Sequence, residues 1–306
     1  EHSSQTHLSR NHLIPHQTIV KKLAQHMAKL KRLDFGQAKY QDLEQLGLGG
    51  QAVAYRAYSA SDKKEVTIRV FIKQQDEQNL SRQLLQLQQQ NKSYPFVQRS
   101  IRYHEQSIGP TTPTSSITNK TAFVQVLEYA PYRLVDKVEG GELSSRTKTL
   151  ILRQLATALY RLHDQDLAHR DVKPDNVYLD EGLNCLLGDL GIARKDDSPF
   201  KTQLGTPRYT APKVFQVSYE TDFQSFAAYG TEVDAWGFAC VAYFAETGQD
   251  AFQDVKNPGD LQRQLQGLQT RGLSDFVLRI VRQLLVVDPK QRKENWRQIR
   301  PELEIQ

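Results

Sequence analysis

One stretch gathers side chains that could do chemistry together: His169-Arg170-Asp171-Val172-Lys173-Pro174-Asp175-Asn176. A carboxylate, a lysine and an amide lie close enough in sequence for one tight loop to present all three. A short apolar run later comes Asp189-Leu190-Gly191, a second carboxylate at a glycine turn. Phosphoryl transfer from a metal nucleotide asks for this set: a carboxylate to take a hydroxyl proton, a cation for the moving charge, and two oxygen ligands for magnesium. Asp-Leu-Gly alone is a common turn. The long loop followed at this distance by the second motif arises by chance very rarely.

At these residues the chain resembles the eukaryotic-type protein kinases, whose catalytic loop reads His-Arg-Asp, four residues, then Asn. The resemblance implies an α+β, bilobal protein-kinase fold with a small β-rich N-lobe and a larger α-helical C-lobe. It implies ATP and Mg2+ as cofactors and a protein substrate. Asp171 would then accept or orient the substrate hydroxyl proton, and Lys173, of the serine/threonine type, would neutralise the transferred phosphoryl. Asn176 and Asp189 would hold magnesium. His169 is expected to pack under the loop rather than act as acid or base, and Leu190 stands where phenylalanine is usual, keeping apolar packing.

The elements that must position these groups follow in the family's order. Leu46-Gly47-Leu48-Gly49-Gly50-Gln51-Ala52-Val53-Ala54 resembles the glycine-rich hairpin whose backbone amides approach the phosphates. Gly47 and Gly49 fill its first two glycine positions; Ala52 replaces the third glycine and Ala54 the valine over the adenine. Glu65-Val66-Thr67-Ile68-Arg69-Val70-Phe71 alternates as a strand, and Arg69 occupies the phosphate-binding lysine position. Arginine keeps the charge but is longer, planar and forked. Lys73 lies on the same strand face four residues on, roughly 13 Å away at strand rise, and offers no obvious rescue. In the following helix only Asp76 and Glu77 are acidic, and Glu77, early relative to the leucine stripe, is the doubtful partner for that cation. Phe123 to Pro131 resembles the last small-lobe strand running into the hinge, with Leu127 guarding the adenine pocket and the backbone of Glu128 and Ala130 bonding the base.

Thr149 to His163 has helical apolar spacing and delivers the chain to the catalytic loop. The segment from Asp189 to Pro212 resembles an activation segment. Arg170 is expected to pair with a phosphate added at Thr202 or Ser198. Gly205-Thr206-Pro207-Arg208-Tyr209 resembles the serine/threonine substrate platform, with Thr206 contacting the catalytic Asp and Lys. Lys213 departs from the family, which has a glutamate there paired with the arginine that Arg292 matches, so a nearby acid must compensate or the segment is looser. Asp234 in Asp234-Ala235-Trp236-Gly237 would tie to the catalytic-loop backbone.

Composition sets the outer limits. With 306 residues, 39% hydrophobic and 25% charged, the chain suits one large domain or two lobes. No apolar run approaches the roughly 20 residues needed to cross a bilayer, and residues 1–18 lack the apolar core of a signal peptide, so an intracellular, cytoplasmic protein is expected. Cys185 and Cys240 sit in apolar surroundings and read as buried thiols. The net charge of +5 is spread among 35 acids, so a solvated surface is expected and no nucleic-acid partner. Ile19, Leu23, Met27, Leu30 and Leu33 recur at helical spacing among lysines, a basic amphipathic helix that either docks on its own domain or meets a partner or membrane surface.

The chain is thus divided into an N-terminal extension (residues 1–39), an N-lobe (40–130) and a C-lobe (131–306). Three functions remain: a serine/threonine kinase, weak or atypical; a pseudokinase serving as scaffold or allosteric partner; or phosphorylation of a small molecule or another nucleotide transfer on this fold. Asp171, Lys173, Asn176 and Asp189 favour the first; Arg69, Ala52, Lys213 and the doubtful Glu77 favour the second.

Overall fold

The computed structural model describes residues 21, 24–25, 32–35, 37–48, 52–72, 94–108, 120–190, 194–195, 207–212 and 230–305. Two compact units divide the chain, residues 1–74 with 100–128 and residues 75–99 with 129–306.

The first unit is an antiparallel sheet of six strands in the order β1-β2-β3-β4-β6-β5. These are β1 (Arg32–Phe35), β2 (Ala38–Leu48), β3 (Ala52–Ser59), β4 (Lys64–Ile72), β5 (Ser100–Ile108) and β6 (Lys120–Glu128). Period-two alternation builds it: Val66, Ile68 and Val70 of β4 are buried on one face, and Thr67 and Arg69 fall on the other. The buried face carries a core that includes Tyr40, Val53, Tyr55, Ile68 and Val126, and Ala24 packs into it. The Tyr55 hydroxyl also reaches the Ala24 carbonyl at 3.4 Å, while Lys21 and Gln25 face outward. Lys21, Ala24 and Gln25 are helical and Ile19, Leu23, Met27 and Leu30 lie outside the described residues, but Leu33 departs from the helical reading. It lies in β1, buried and paired with Tyr40, because the segment from Arg32 buries every second residue instead of every third or fourth.

The sheet is strongly curled. Flat, its outermost strands would lie roughly 24 Å apart at about 4.8 Å per strand. Instead Phe35 of β1 stacks on His104 of β5 with ring centroids 4.2 Å apart, and the Tyr40 hydroxyl lies 3.2 Å from His104 Nε2. The curl is clamped by Arg102 of β5, whose guanidinium grips both carboxylate oxygens of Asp62 in the β3–β4 turn, with Nη2 donating to Oδ1 at 2.7 Å.

The second unit is mainly helical: α1 (Leu134–Glu139), α2 (Ser145–His163), α3 (Glu232–Thr247), α4 (Pro258–Gln266), α5 (Asp275–Leu284), α6 (Pro289–Gln298) and α7 (Arg300–Leu303). Ser144 starts α2 by accepting the Thr147 amide, and Gly248 at φ 71° ends α3 in the left-handed conformation that glycine adopts without strain. Helix α3 is apolar nearly all round and therefore sits at the centre, packed by α2, α5 and α6. Short strands complete the unit: β7 (Tyr132–Arg133), β8 (Leu167–Ala168), β9 (Val177–Leu179), β10 (Cys185–Leu187) and β11 (Arg194–Lys195). Cys185 and Cys240 are free and fully buried. Among the described residues no helix is long and apolar enough to cross a membrane.

The Asp62–Arg102 clamp gives the sheet an acid limit. The hydrogen bonds from Arg102, aided by Ser59, outweigh burial and lower the Asp62 pKa to about 2 from an ordinary 3.8. A carboxyl depressed on folding stabilises above its unfolded pKa, and that stability is lost as pH falls through the folded value. Circular dichroism from pH 5 to 2 is expected to show the unit losing structure over this window. Asp62→Asn is expected to cost about 1–2 kcal/mol at pH 7 and to flatten the acid dependence.

Candidate active site

The catalytic-loop sequence runs from β8 into a 3-10 turn at Pro174–Asn176. Its backbone is held from below by one buried carboxylate. Asp234, fully buried at the start of α3, accepts the His169 amide on Oδ2 and the Arg170 amide on Oδ1, each at 2.7 Å. Arg170 sits at φ 69°, in the left-handed region that a bulky side chain avoids at a cost of about 1–2 kcal/mol. Two charge-assisted hydrogen bonds to adjacent amides are enough to hold that conformation. Burial alone would raise the pKa of Asp234, but the bonds from His163 and the Arg170 amide hold it below the ordinary carboxylate value. The helix must come close to do this: a Cβ added at Gly237 would meet the Val172 carbonyl oxygen at 2.6 Å, so only glycine fits.

Above this floor the polar groups converge. Oδ2 of Asp171 receives Lys173 Nζ at 2.8 Å and Asn176 Nδ2 at 2.9 Å, and the same Nδ2 donates to the Asp171 carbonyl at 2.7 Å. Two acceptors on one side fix the amide's orientation, so Asn176 turns its nitrogen to Asp171 and its oxygen elsewhere. His169 is fully buried; its Nε2 donates to the Gly188 carbonyl at 2.8 Å and its Nδ1 accepts the Asp171 amide at 3.2 Å. With both ring nitrogens committed to backbone, His169 is a brace. The Gly188 amide in turn donates to the Asn176 carbonyl at 2.9 Å, which sets Asp189, at φ 56°, beside the loop. Asp171, Lys173 and Asn176 are thus brought together, and Asp189 follows the Gly188 whose amide is bonded to Asn176.

Of the residues expected at the nucleotide, Gly47, Ala52, Ala54, Arg69 and Glu128 lie on the curled sheet, and Ala130 belongs to the second unit. On the sheet's second face Ala54 of β3, Arg69 of β4, Gln125 of β6 and Tyr103 of β5 form one cross-strand row. Ala52 and Phe123 lie on the same face, buried, with Tyr103 packed against them. Arg69 is half-buried, with Ala54 and Gln125 as its cross-strand neighbours. Gly47 pairs with Ala54 across the hairpin. Leu127 is buried near the end of β6, and Glu128 and Ala130 follow. Gly49, Lys73, Glu77, Ser198, Thr202, Thr206 and Lys213 lie outside the described residues.

Three groups were not singled out from sequence. Asp250 binds both the Arg208 guanidinium, at 2.5 Å, and the Tyr209 hydroxyl, fixing the turn at Pro207–Tyr209. Glu232 meets Arg292 through its backbone: Arg292, fully buried, donates Nε to the Glu232 carbonyl at 2.7 Å and Nη1 to the Val286 carbonyl at 2.5 Å, over the Trp236 ring. Burial lowers the Arg292 pKa to about 10 against the opposing charges of Glu232 and Asp288. His163, at the end of α2, has Nε2 2.8 Å from Asp234 Oδ2. None of these pairings is local in sequence, so no motif announced them.

A curled antiparallel sheet and a helical unit bearing this carboxylate–lysine–amide cluster define a protein of the bilobal kinase fold. The protein kinase domain model matches residues 40–300, and the chain belongs to that family. It is 30% identical over 181 residues to the SNF1-like protein kinase ssp2 of Schizosaccharomyces pombe, covering 58% of this chain and 30% of that protein. The carbon catabolite-derepressing protein kinase of Saccharomyces cerevisiae is 29% identical over 181 residues, 58% of this chain and 27% of its own length. Human serine/threonine-protein kinase DCLK3 is 30% identical over 186 residues, 53% and 27% respectively. The matched regions therefore span about a third or less of these relatives.

Asp234→Asn keeps the volume but places an NH2 group against a backbone N–H. It is expected to cost about 2–4 kcal/mol, because a buried charge-assisted network loses its anion. A fall in the thermal midpoint checks this, together with faster amide exchange at His169 and Arg170.

Proposed function

We propose that the chain is a serine/threonine protein kinase that transfers the γ-phosphate of ATP to protein hydroxyls. The observation that carries this reading is the convergence of Lys173 and Asn176 on one oxygen of Asp171, beside Asp189. With Oδ2 held by those two donors, Oδ1 of Asp171 is the oxygen that meets the acceptor hydroxyl and takes or orients its proton. Lys173, paired to Asp171, offers its ammonium to the charge on the moving phosphoryl group.

The residues fit magnesium. The oriented Asn176 amide oxygen and the Asp189 carboxylate are hard oxygen donors of the kind Mg2+ takes along with phosphate oxygens and water. Bound there, magnesium would neutralise phosphate charge. Asn176 and Asp189 would hold it, and the bonds from His169 to Gly188 and from Gly188 to Asn176 keep that part of the loop in register. The family resemblance assigns the nucleotide hairpin to Gly47, Gly49, Ala52 and Ala54, the adenine to the backbone of Glu128 and Ala130, and the phosphates to Arg69, a forked guanidinium in place of an ammonium.

One observation favours the second reading, a pseudokinase acting as scaffold: Arg69 at a position where losing a well-aimed donor typically takes about 3–4 kcal/mol from transition-state stabilisation. Against it stands the retention of Asp171, Lys173, Asn176 and Asp189, the residues the transfer itself needs.

Two measurements on the purified protein separate the readings: a titration with Mg2+-ATP and a phosphotransfer assay on a serine/threonine peptide library. Binding with transfer is expected, lowered about 100-fold or more in Asp171→Asn. Binding without transfer supports the scaffold. Arg69→Lys is expected to leave activity unchanged or raised; a large fall means the site was rebuilt around arginine.

A further inference from the structure

The buried carboxylate that holds the catalytic loop does not end the chain of hydrogen bonds beneath it. Trp296, on α6, is 2% exposed and stacks on Tyr160 of α2 at 4.2 Å, and the Tyr160 hydroxyl donates to the Trp296 carbonyl at 2.9 Å. Its indole Nε1–H donates to His163 Nδ1 at 3.0 Å. An indole nitrogen can only donate, so Nδ1 of His163 can only accept, and the ring proton must be on Nε2. Nε2 faces Asp234 Oδ2 at 2.8 Å, and the two oxygens of Asp234 carry the His169 and Arg170 amides.

We infer that Trp296 is a positioning residue for the catalytic loop: its indole N–H selects the His163 tautomer that keeps Asp234 an acceptor from three donors. The chain runs from Trp296 through His163 and Asp234 to the strained Arg170 backbone, linking a helix near the end of the domain to the loop that bears Asp171. With the tautomer unspecified, His163 can turn a bare nitrogen toward Asp234. The carboxylate would then lose a donor and meet a lone pair, weakening its hold on an amide that resists this geometry. A histidine that merely filled space would need no particular tautomer. The effect on turnover rests on the kinase reading above; the effect on loop geometry does not.

The test removes the N–H and leaves the packing. Trp296→Phe keeps an aromatic ring against Tyr160, and replacement of Trp296 by β-(3-benzothienyl)alanine keeps the bicyclic shape with sulfur in place of N–H. The second serves if the first fails to fold. Long-range 1H–15N spectra report which His163 nitrogen carries the proton, and hydrogen exchange reports the His169 and Arg170 amides. Wild type is expected to show Nε2–H alone, and each variant a mixture of forms with at least tenfold faster exchange at the two amides. 7-Azatryptophan at 296, which retains the N–H, is expected to restore the wild-type pattern. If the variants keep Nε2–H and wild-type exchange while Asp234→Asn speeds it, the inference is overturned. Failure of wild type to transfer phosphate bears on the kinase reading and leaves both readouts intact. If it is active, kcat is expected to fall in the variants with the KM for ATP unchanged.

Discussion

A single buried carboxylate organises the second unit. Asp234 is carried at the start of a helix that is apolar on nearly every side, and that burial keeps water from competing for its oxygens. In such surroundings an unpaired charge would be very costly, whereas one saturated by backbone amides and an imidazole N–H becomes a rigid fixture. The loop above it takes a left-handed turn at Arg170 that it would not choose alone. From that turn Asp171 emerges aimed at Lys173 and Asn176. Gly237 completes the arrangement by letting helix and loop backbones touch.

The first unit answers a different constraint. One face of its sheet carries a core that takes in Ala24, and the other carries the row of Ala54, Arg69 and Gln125. Closing the sheet through Phe35, His104 and the Asp62–Arg102 clamp fixes the curvature of that second face, and so where Arg69 stands. The substitution of arginine for lysine and the small residues at positions 52 and 54 belong to the same face.

What the sequence made legible was contiguous. Asp171, Lys173 and Asn176 share one loop, so spacing alone implied their meeting, and the motif beginning at Asp234 announced a tie to the loop. What it concealed was assembled across the chain: His163 meets Asp234 71 positions on, and Trp296 meets His163 133 positions on. Leu33 was misread because its spacing from Leu30 suits a helix while its pairing with Tyr40 belongs to a strand. Glu232 escaped notice because it serves Arg292 chiefly through its backbone carbonyl, which side-chain identity does not reveal.

The ionisation of Asp234 tests this account most directly. Carbon-13 NMR of carboxyl-labelled aspartate, followed from pH 7 downward while circular dichroism reports an intact second unit, separates this residue from the exposed ones. The Asp234 resonance is expected to stay fixed while exposed aspartates titrate near their usual value of about 3.9. A resonance that moves together with theirs, with the helical unit still folded, would contradict the claim that its hydrogen-bonded anion holds the catalytic loop.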